Sequence, residues 1–240
     1  DGPPAGFNAQ SDARLVTYLD DLELFPRLRA ASPSWESYVA HPFVTGIRDG
    51  SLPEAAFRHY LGQDYLFLIH FARAYALAAY KADTLADIRD AAAGMSAIVD
   101  TEMALHVEYC AGWGLTEAEM EALPEASATM AYTRYVLEKG HQGDLLDLYV
   151  ALAPCVIGYG EIGARLASDP VTKRDGNPYA PWIDMYAGED YQPVARAHAE
   201  ILDRLWTRRA GRERMDELSR VFEQASRLEA DFWQMGLDAR

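Results

Sequence analysis

Apolar residues recur every three to four positions along most of the chain, and no stretch shows the alternation of period two that a half-buried strand requires. The pattern therefore predicts helices almost without remainder. Ser34 stands where it can cap a segment over 34–49, and Ser51-Leu-Pro-Glu54 reads as a capping box, with Pro53 in the first turn, opening a long segment over 51–83. Thr84-Leu-Ala-Asp87 opens the next segment, which runs to the Gly112-Trp113-Gly114 stop. Thr116-Glu-Ala-Glu119 then begins a short helix. Further helices are expected over 128–139, 144–167, 191–209 and 212–235, and an upstream one over 12–31 that bends or ends at Pro26. The stretch 168–181, with Pro170, Gly176, Asn177 and Pro178, reads as the one long loop.

The same spacing decides which polar side chains face inward. In the segment after Ser51 the stripe runs Phe57, Tyr60/Leu61, Asp64, Phe67/Leu68, Phe71, Tyr75 and Ala78, so Asp64 is its only charge. In the next, Ile88, Ala92, Met95, Val99 and Met103 form the expected core face, continuing onto Glu102 and His106, which stand four apart and can pair. Leu145, Leu148, Leu152, Cys155, Tyr159, Ile162 and Leu166 place a thiol and a phenol on one buried face, and Met215, Leu218, Phe222, Ala225, Glu229, Phe232 and Gly236 do the same for Glu229. Four helices, each with an inward polar group, are expected to enclose a polar pocket.

Composition narrows the picture further. With 240 residues, half of them apolar, and no Ser/Gly-rich linker between the periodic segments, the chain is most simply one domain with one core. A net charge of -15 repels phosphate backbones and anionic lipid, and no Lys/Arg cluster offsets it, so neither nucleic acid nor membrane is an expected partner. The longest apolar stretch, 148–160, is shorter than the roughly 20 residues a span needs and contains Pro154. The opening Asp1-Gly-Pro-Pro-Ala-Gly-Phe7 has no basic and apolar regions of a secretory signal and reads as a flexible terminus, which makes the cytoplasm the default location. Cys110 and Cys155 lack Cys-x-x-Cys spacing, so two reduced thiols are expected.

A lone cysteine in an apolar run is most simply a small core hydrophobe. Carboxylates on apolar stripes change that balance, because an isolated buried Asp or Glu costs several kcal/mol unless it is paired or protonated. Asp64 and Glu229 are either structural partners of an Arg or Tyr, or members of a functional site with Cys155. Glu102 with His106 reads as a local structural pair. Pro154, just before the thiol, is expected to bend the helix locally and aim Cys155 inward.

The order and spacing of several blocks carry a family resemblance: His41-Pro-Phe-Val-Thr-Gly-Ile-Arg-Asp-Gly-Ser-Leu-Pro53, Tyr60-Leu-Gly-Gln-Asp64 with His70-Phe-Ala72, Glu102-Met-Ala-Leu-His106, Ala131-Tyr-Thr133, Leu152-Ala-Pro-Cys155 with Tyr159 and Glu161-Ile-Gly163, Pro181-Trp-Ile183 with Tyr186, and Phe232-Trp233. Together they resemble the TenA family, also called thiaminase II or aminopyrimidine aminohydrolase, in its cysteine-containing form. The resemblance covers residues 34–240 as one helical domain and leaves 1–33 as an N-terminal extension. It implies an all-α, single-domain bundle of the haem-oxygenase-like type, no cofactor, and a homotetramer. It further implies hydrolysis of aminopyrimidine products of thiamin breakdown, and of thiamin itself, in thiamin salvage. In that scheme Cys155 is the nucleophile adding to the pyrimidine ring, Asp64 binds the aminopyrimidine and supports ring protonation, and Glu229 donates and accepts the proton near the leaving group. Tyr132, Tyr159 and Tyr186 orient the substrate and Phe67 is the aromatic wall, and by comparison with the bulkier residues common in the family Gly158 and Gly160, on either side of Tyr159, are expected to enlarge the pocket. Two other readings stay open: a carboxylate-bridged dimetal oxygenase of the same fold using Glu102, His106 and Glu161, and a non-catalytic pyrimidine-binding module.

Overall fold

The computed structural model describes residue 15 and residues 17–239, so the expected flexible start and the first residues of the 12–31 helix lie outside it. The described residues form helices and no strand. In chain order they are α1 (Leu24–Ala30), α2 (Trp35–Val39), α3 (Pro42–Asp49), α4 (Glu54–Lys81), α5 (Leu85–Ser96), a π-helical segment (Ala97–Glu102), α6 (Met103–Gly112), α7 (Glu117–Glu121), α8 (Ser127–Gln142), α9 (Leu145–Ser168), α10 (Ala180–Ala187), α11 (Gln192–Arg209) and α12 (Arg214–Leu237). The all-helical expectation is met. Contacts group the chain into two compact units, one of residues 1–52 and 152–230, the other of 53–151 and 231–240.

Several expected boundaries form through the chemistry anticipated. Thr84 Oγ1 accepts the Asp87 amide at 3.2 Å to start α5, and Thr116 and Glu119 exchange reciprocal bonds of 3.2 and 3.1 Å at α7. Others do not. The 34–49 segment is two helices, because Pro42 forces His41 to an extended ψ of 148° and the imidazole Nδ1 then caps α3 by accepting the Phe43 amide at 3.1 Å. Ser34 does not cap; its hydroxyl and amide go to Glu223. The Ser51 box also fails to form, since the Ser51 hydroxyl donates to Asp49 at 2.5 Å and α4 begins after Pro53. Helix α10 was not expected at all: Pro181 sits harmlessly in its first turn, where no backbone donor is needed.

In the first unit the core is aromatic. The Trp35 ring stacks on Phe222 at 5.3 Å and meets Phe25 edge-on at 5.7 Å. Beneath it Glu161, fully buried, accepts the Trp35 indole N–H at 2.8 Å and Arg29 at 3.0 Å, with Arg165 at 3.4 Å. Helix α9 continues across Pro154 as one helix, and the Pro154 carbonyl accepts the Tyr38 hydroxyl at 2.7 Å. The glycines of α9 are contact points, which corrects the expectation that they open space. A Cβ on Gly158 would lie 2.4 Å from the Tyr38 hydroxyl, and one on Gly160 2.8 Å from the Ala195 side chain. A Cβ on Gly163 would lie 2.5 Å from the Tyr186 backbone. Helix α9 is long and apolar enough to cross a membrane, contrary to the sequence expectation, yet 89% of its most apolar window is buried within the protein.

In the second unit α4 is buried nearly all round over 60–67. Gln63 serves the start of α8, whose N-cap Ala126 has no capping side chain: its Oε1 accepts the Ala126 amide at 2.9 Å and the Thr129 hydroxyl at 2.7 Å, while its Nε2 donates to Pro124 O at 3.1 Å. The face expected to be buried on α5 is exposed instead. Ile88, Met95 and Val99 lie open to solvent, Val99 by half, whereas Asp87, Ala91 and Ile98, one position before Ile88, Ala92 and Val99, are buried. Tyr80, Leu85 and Leu105 add to the exposed apolar surface nearby.

Candidate active site

Each unit holds its own share of the expected residues. In the first, Cys155 is half-buried while Leu152, Ala153, Val156 and Ile157 around it are closed off, so it is the one residue in that turn of α9 that is not fully buried. Tyr159, one turn on, packs against Tyr186 of α10 at 4.9 Å and Trp182 at 6.0 Å, and the latter two rings meet at 4.7 Å. The Tyr191 hydroxyl, donating to Val156 O at 2.7 Å, holds the far side of Tyr186 through a 5.0 Å edge contact. The backbone of Tyr186 lies against Gly163, which sets how close α10 approaches α9. Glu229 on α12 is 2% exposed.

In the second unit, Phe67 packs on Phe71 at 4.3 Å, Tyr132 at 5.2 Å and Phe232 at 5.5 Å, a continuous aromatic surface one turn from Asp64. Asp64 is 6% exposed, and burial pushes its carboxyl up to about 7. Glu102, half-buried, is also pushed up to about 7, first by burial and then by the charge of Asp64. His106 Nε2 lies 2.9 Å from the Leu61 carbonyl and its Nδ1 lies 3.7 Å from Asp64 Oδ2, while burial pulls its pKa down. The expected Glu102–His106 pair is thus replaced by His106 facing Asp64, because the ring is turned toward α4 by the Leu61 carbonyl. Cys110 differs sharply from Cys155: it is fully buried and its thiol is pushed up to about 12, by burial and then by Asp64.

A second cluster in this unit had no sequence signal beyond its separate residues. His70 Nε2 contacts Glu125 at 2.6 Å, Arg134 joins both at 2.9 Å, and Arg73 lies 3.2 Å from His70 Nδ1. It ties α4, α8 and the loop between α7 and α8 together. A cavity of about 370 Å³ in the first unit, lined by Arg29, Ser32, Pro33, Trp35, Glu36, Glu161 and Arg165, contains none of the expected site residues. Among the described residues no three His, Cys, Asp or Glu side chains are grouped to hold a metal ion, and Glu161, one of the ligands a dimetal reading needs, is engaged by Arg29, Arg165 and Trp35.

The described residues are helical, with a half-buried Cys155 in the first unit and, in the second, an Asp64 carboxyl that burial pushes up to about 7. A solved Shewanella denitrificans domain described as having a heme oxygenase-like fold shares that fold with a TM-score of 0.68 at 16% identity, over 89% of this chain and 91% of its own. The model of the TENA/THI-4/PQQC family matches residues 28–239, so the chain belongs to that family. A solved TenA family transcription regulator from a Silicibacter species is 45% identical, with a TM-score of 0.85 over 90% of this chain and 97% of its own. An aminopyrimidine aminohydrolase from Halalkalibacterium halodurans is 37% identical over 210 residues, 88% of this chain and 93% of that protein.

Burial of Asp64 has a consequence for stability that can be measured. A carboxyl at 3.8 in the unfolded chain and about 7 in the folded one binds its proton more tightly when folded. Its contribution is therefore fully present below about pH 4 and is lost as pH rises through 7. Thermal unfolding of wild type and Asp64→Asn should converge at acid pH. Above pH 7 the variant should gain relative to wild type by about 1 kcal/mol or more. An identical pH dependence of Tm in both proteins would remove the claim that Asp64 is a strained carboxylate.

Proposed function

We propose that this protein is a hydrolase of the aminopyrimidine aminohydrolase type, converting 4-amino-5-aminomethyl-2-methylpyrimidine to the hydroxymethyl pyrimidine and ammonia in thiamin salvage, with thiamin as a further substrate. The observation that carries this reading is the half-buried Cys155 thiol in an otherwise closed turn of α9, in a chain 37% identical to a protein of that name. Cys155 adds as thiolate to a ring carbon while a ring nitrogen takes up a proton, for which Asp64 is the acid. Electrons of the reduced ring then expel the amine, protonated by Glu229, and leave an exocyclic methylene. Water adds to that methylene as Glu229 takes its proton, and the thiolate departs as the ring nitrogen returns its proton to Asp64 and the ring regains aromaticity. Phe67 provides the flat stacking surface, and Tyr132, Tyr159 and Tyr186 fix the rotation of the ring. No cofactor enters this sequence of steps.

Residues 34–240 carry the activity, residues 1–33 are an N-terminal extension whose α1 packs into the first unit, and the location is cytoplasmic. The quaternary state is a homotetramer. Support for self-association comes from the exposed stripe of Leu85, Ile88, Met95, Val99 and Leu105, side chains that a monomer would leave in water. Light scattering on the purified protein should read about four times the 26.7 kDa chain mass; a mass of one chain at micromolar concentration rules the tetramer out.

Ammonia release and product formation from the aminomethyl pyrimidine and from thiamin test the chemistry. Wild type should turn over the first compound, Cys155→Ser should lose activity to the background, and Glu229→Gln should lose about 10²-fold or more in kcat. No turnover of either compound by wild type, or full activity in Cys155→Ser, contradicts the mechanism. Pyrimidine binding without product would mark a binding module instead.

A further inference from the structure

We propose that Gln192 is a positioning residue for Tyr186: its buried amide ties the end of α10 to the helix that bears Cys155 and so sets where the Tyr186 ring stands for substrate. What Tyr186 does for substrate rests on the aminopyrimidine reading; how it is held rests on the contacts of the first unit.

Tyr186 has to be held by something other than its own helix. Its ring meets Tyr159 at 4.9 Å and Trp182 at 4.7 Å, and while those two are buried, Tyr186 keeps part of its surface open. An accessible ring can orient a ligand only if the backbone beneath it is fixed. Yet Tyr186 lies in the last turn of α10, a helix of eight residues that the chain leaves at Gly188 in an extended conformation, with ψ of 166°. The last carbonyls of a helix have no partner within it, and such ends fray.

Gln192, the first residue of α11, supplies the missing donor. Its Nε2 donates to Tyr186 O at 2.7 Å and to Gly160 O of α9 at 3.0 Å, so both amide hydrogens are spent on carbonyls of two different helices. The neighbouring Tyr191 hydroxyl donates to Val156 O, one turn earlier on α9, at 2.7 Å. Val156 follows Cys155 and Gly160 follows Tyr159 in the chain, so the two donors grip α9 directly after the thiol and directly after the phenol. Gly163 completes the seat, since a Cβ there would lie 2.5 Å from the Tyr186 backbone. The head of α11 therefore fixes Tyr186 and the Cys155 helix in one frame.

The residue type matches that task. Gln192 is 7% exposed, and among the described residues its Oε1 meets no donor. A buried acceptor left without a donor costs free energy that an apolar side chain of the same length would not. Packing alone would favour the apolar side chain, whereas a clamp between two carbonyls needs the amide hydrogens. A local rule broken in this way points to a requirement of the site.

Hydrogen exchange of α10, read by mass spectrometry, and steady-state kinetics with the aminomethyl pyrimidine test the clamp. Gln192→Met keeps the length and loses both donors; Gln192→Glu keeps the shape but, ionised, turns acceptors toward two carbonyls. Exchange over Ala180–Ala187 should quicken about tenfold in both variants, the scale of one net hydrogen bond. KM of Gln192→Met should rise about tenfold with kcat within about twofold of wild type, the sign of lost uniform binding. In a Tyr186→Phe background the same substitution should change KM by less than about twofold, because the group it positions is already gone. Wild-type exchange and KM in Gln192→Met would mark Gln192 as core filling, and an equal rise in KM with and without the Tyr186 hydroxyl would mark a general loosening of the fold; either result overturns the inference. Should wild type fail to turn over the pyrimidine, the functional reading falls, while unchanged exchange of α10 in the two Gln192 variants separately overturns the clamp.

Discussion

Removal of water from a few ionisable groups is the constraint on which the chemistry of this fold depends. The same physical effect lifts Asp64 and Glu102 to about 7, lowers His106 and places the Cys110 thiol at about 12. Among the described residues none of these groups has an ion pair with Lys or Arg, and a carboxyl buried without a cation keeps its proton to a higher pH than one in water. Cys155 is the counterpart: same residue type as Cys110, but half-buried. Burial, rather than residue identity, separates the two thiols.

Tight packing makes that burial possible. Gly158, Gly160 and Gly163 let Tyr38, α11 and α10 lie directly on the helix that bears Cys155, leaving no slack for the aromatic side chains around it to relax into. In the second unit Gln63 substitutes for a missing cap on α8, so the residue before Asp64 anchors the helix that presents Tyr132. Buried charges elsewhere serve the scaffold. Glu161 and the His70 cluster are satisfied by arginine and indole donors, and this is why they read as braces while Asp64 does not.

Much of this was legible in the sequence. The helical class, the inward position of Asp64 and Glu229 and the shared face of Cys155 and Tyr159 follow from the 3.6-residue spacing, and Asp64, Glu229 and Tyr159 are buried as it predicts, with Cys155 half-buried. Spacing failed at the α5–α6 stripe in phase rather than in period: Asp87 and Ala91, four apart on α5, face in, while the apolar Ile88, Met95 and Val99 face solvent. Capping signals failed where another acceptor competed, as Asp49 does for Ser51 and Glu223 for Ser34. The partner of His106 was missed for a related reason: a pair four apart looks self-sufficient in sequence, but a backbone carbonyl on another helix sets the ring orientation.

The proposed role of Cys155 as nucleophile requires that its thiol be open to water and substrate. Mass-spectrometric mapping of alkylation by iodoacetamide measures this most directly, with Cys110 as the internal control. The account predicts rapid modification of Cys155, none of Cys110 in the folded protein, and protection of Cys155 by saturating hydroxymethyl pyrimidine. Modification of Cys155 at the same rate with and without the pyrimidine, or a Cys155 as inert as Cys110, would contradict it.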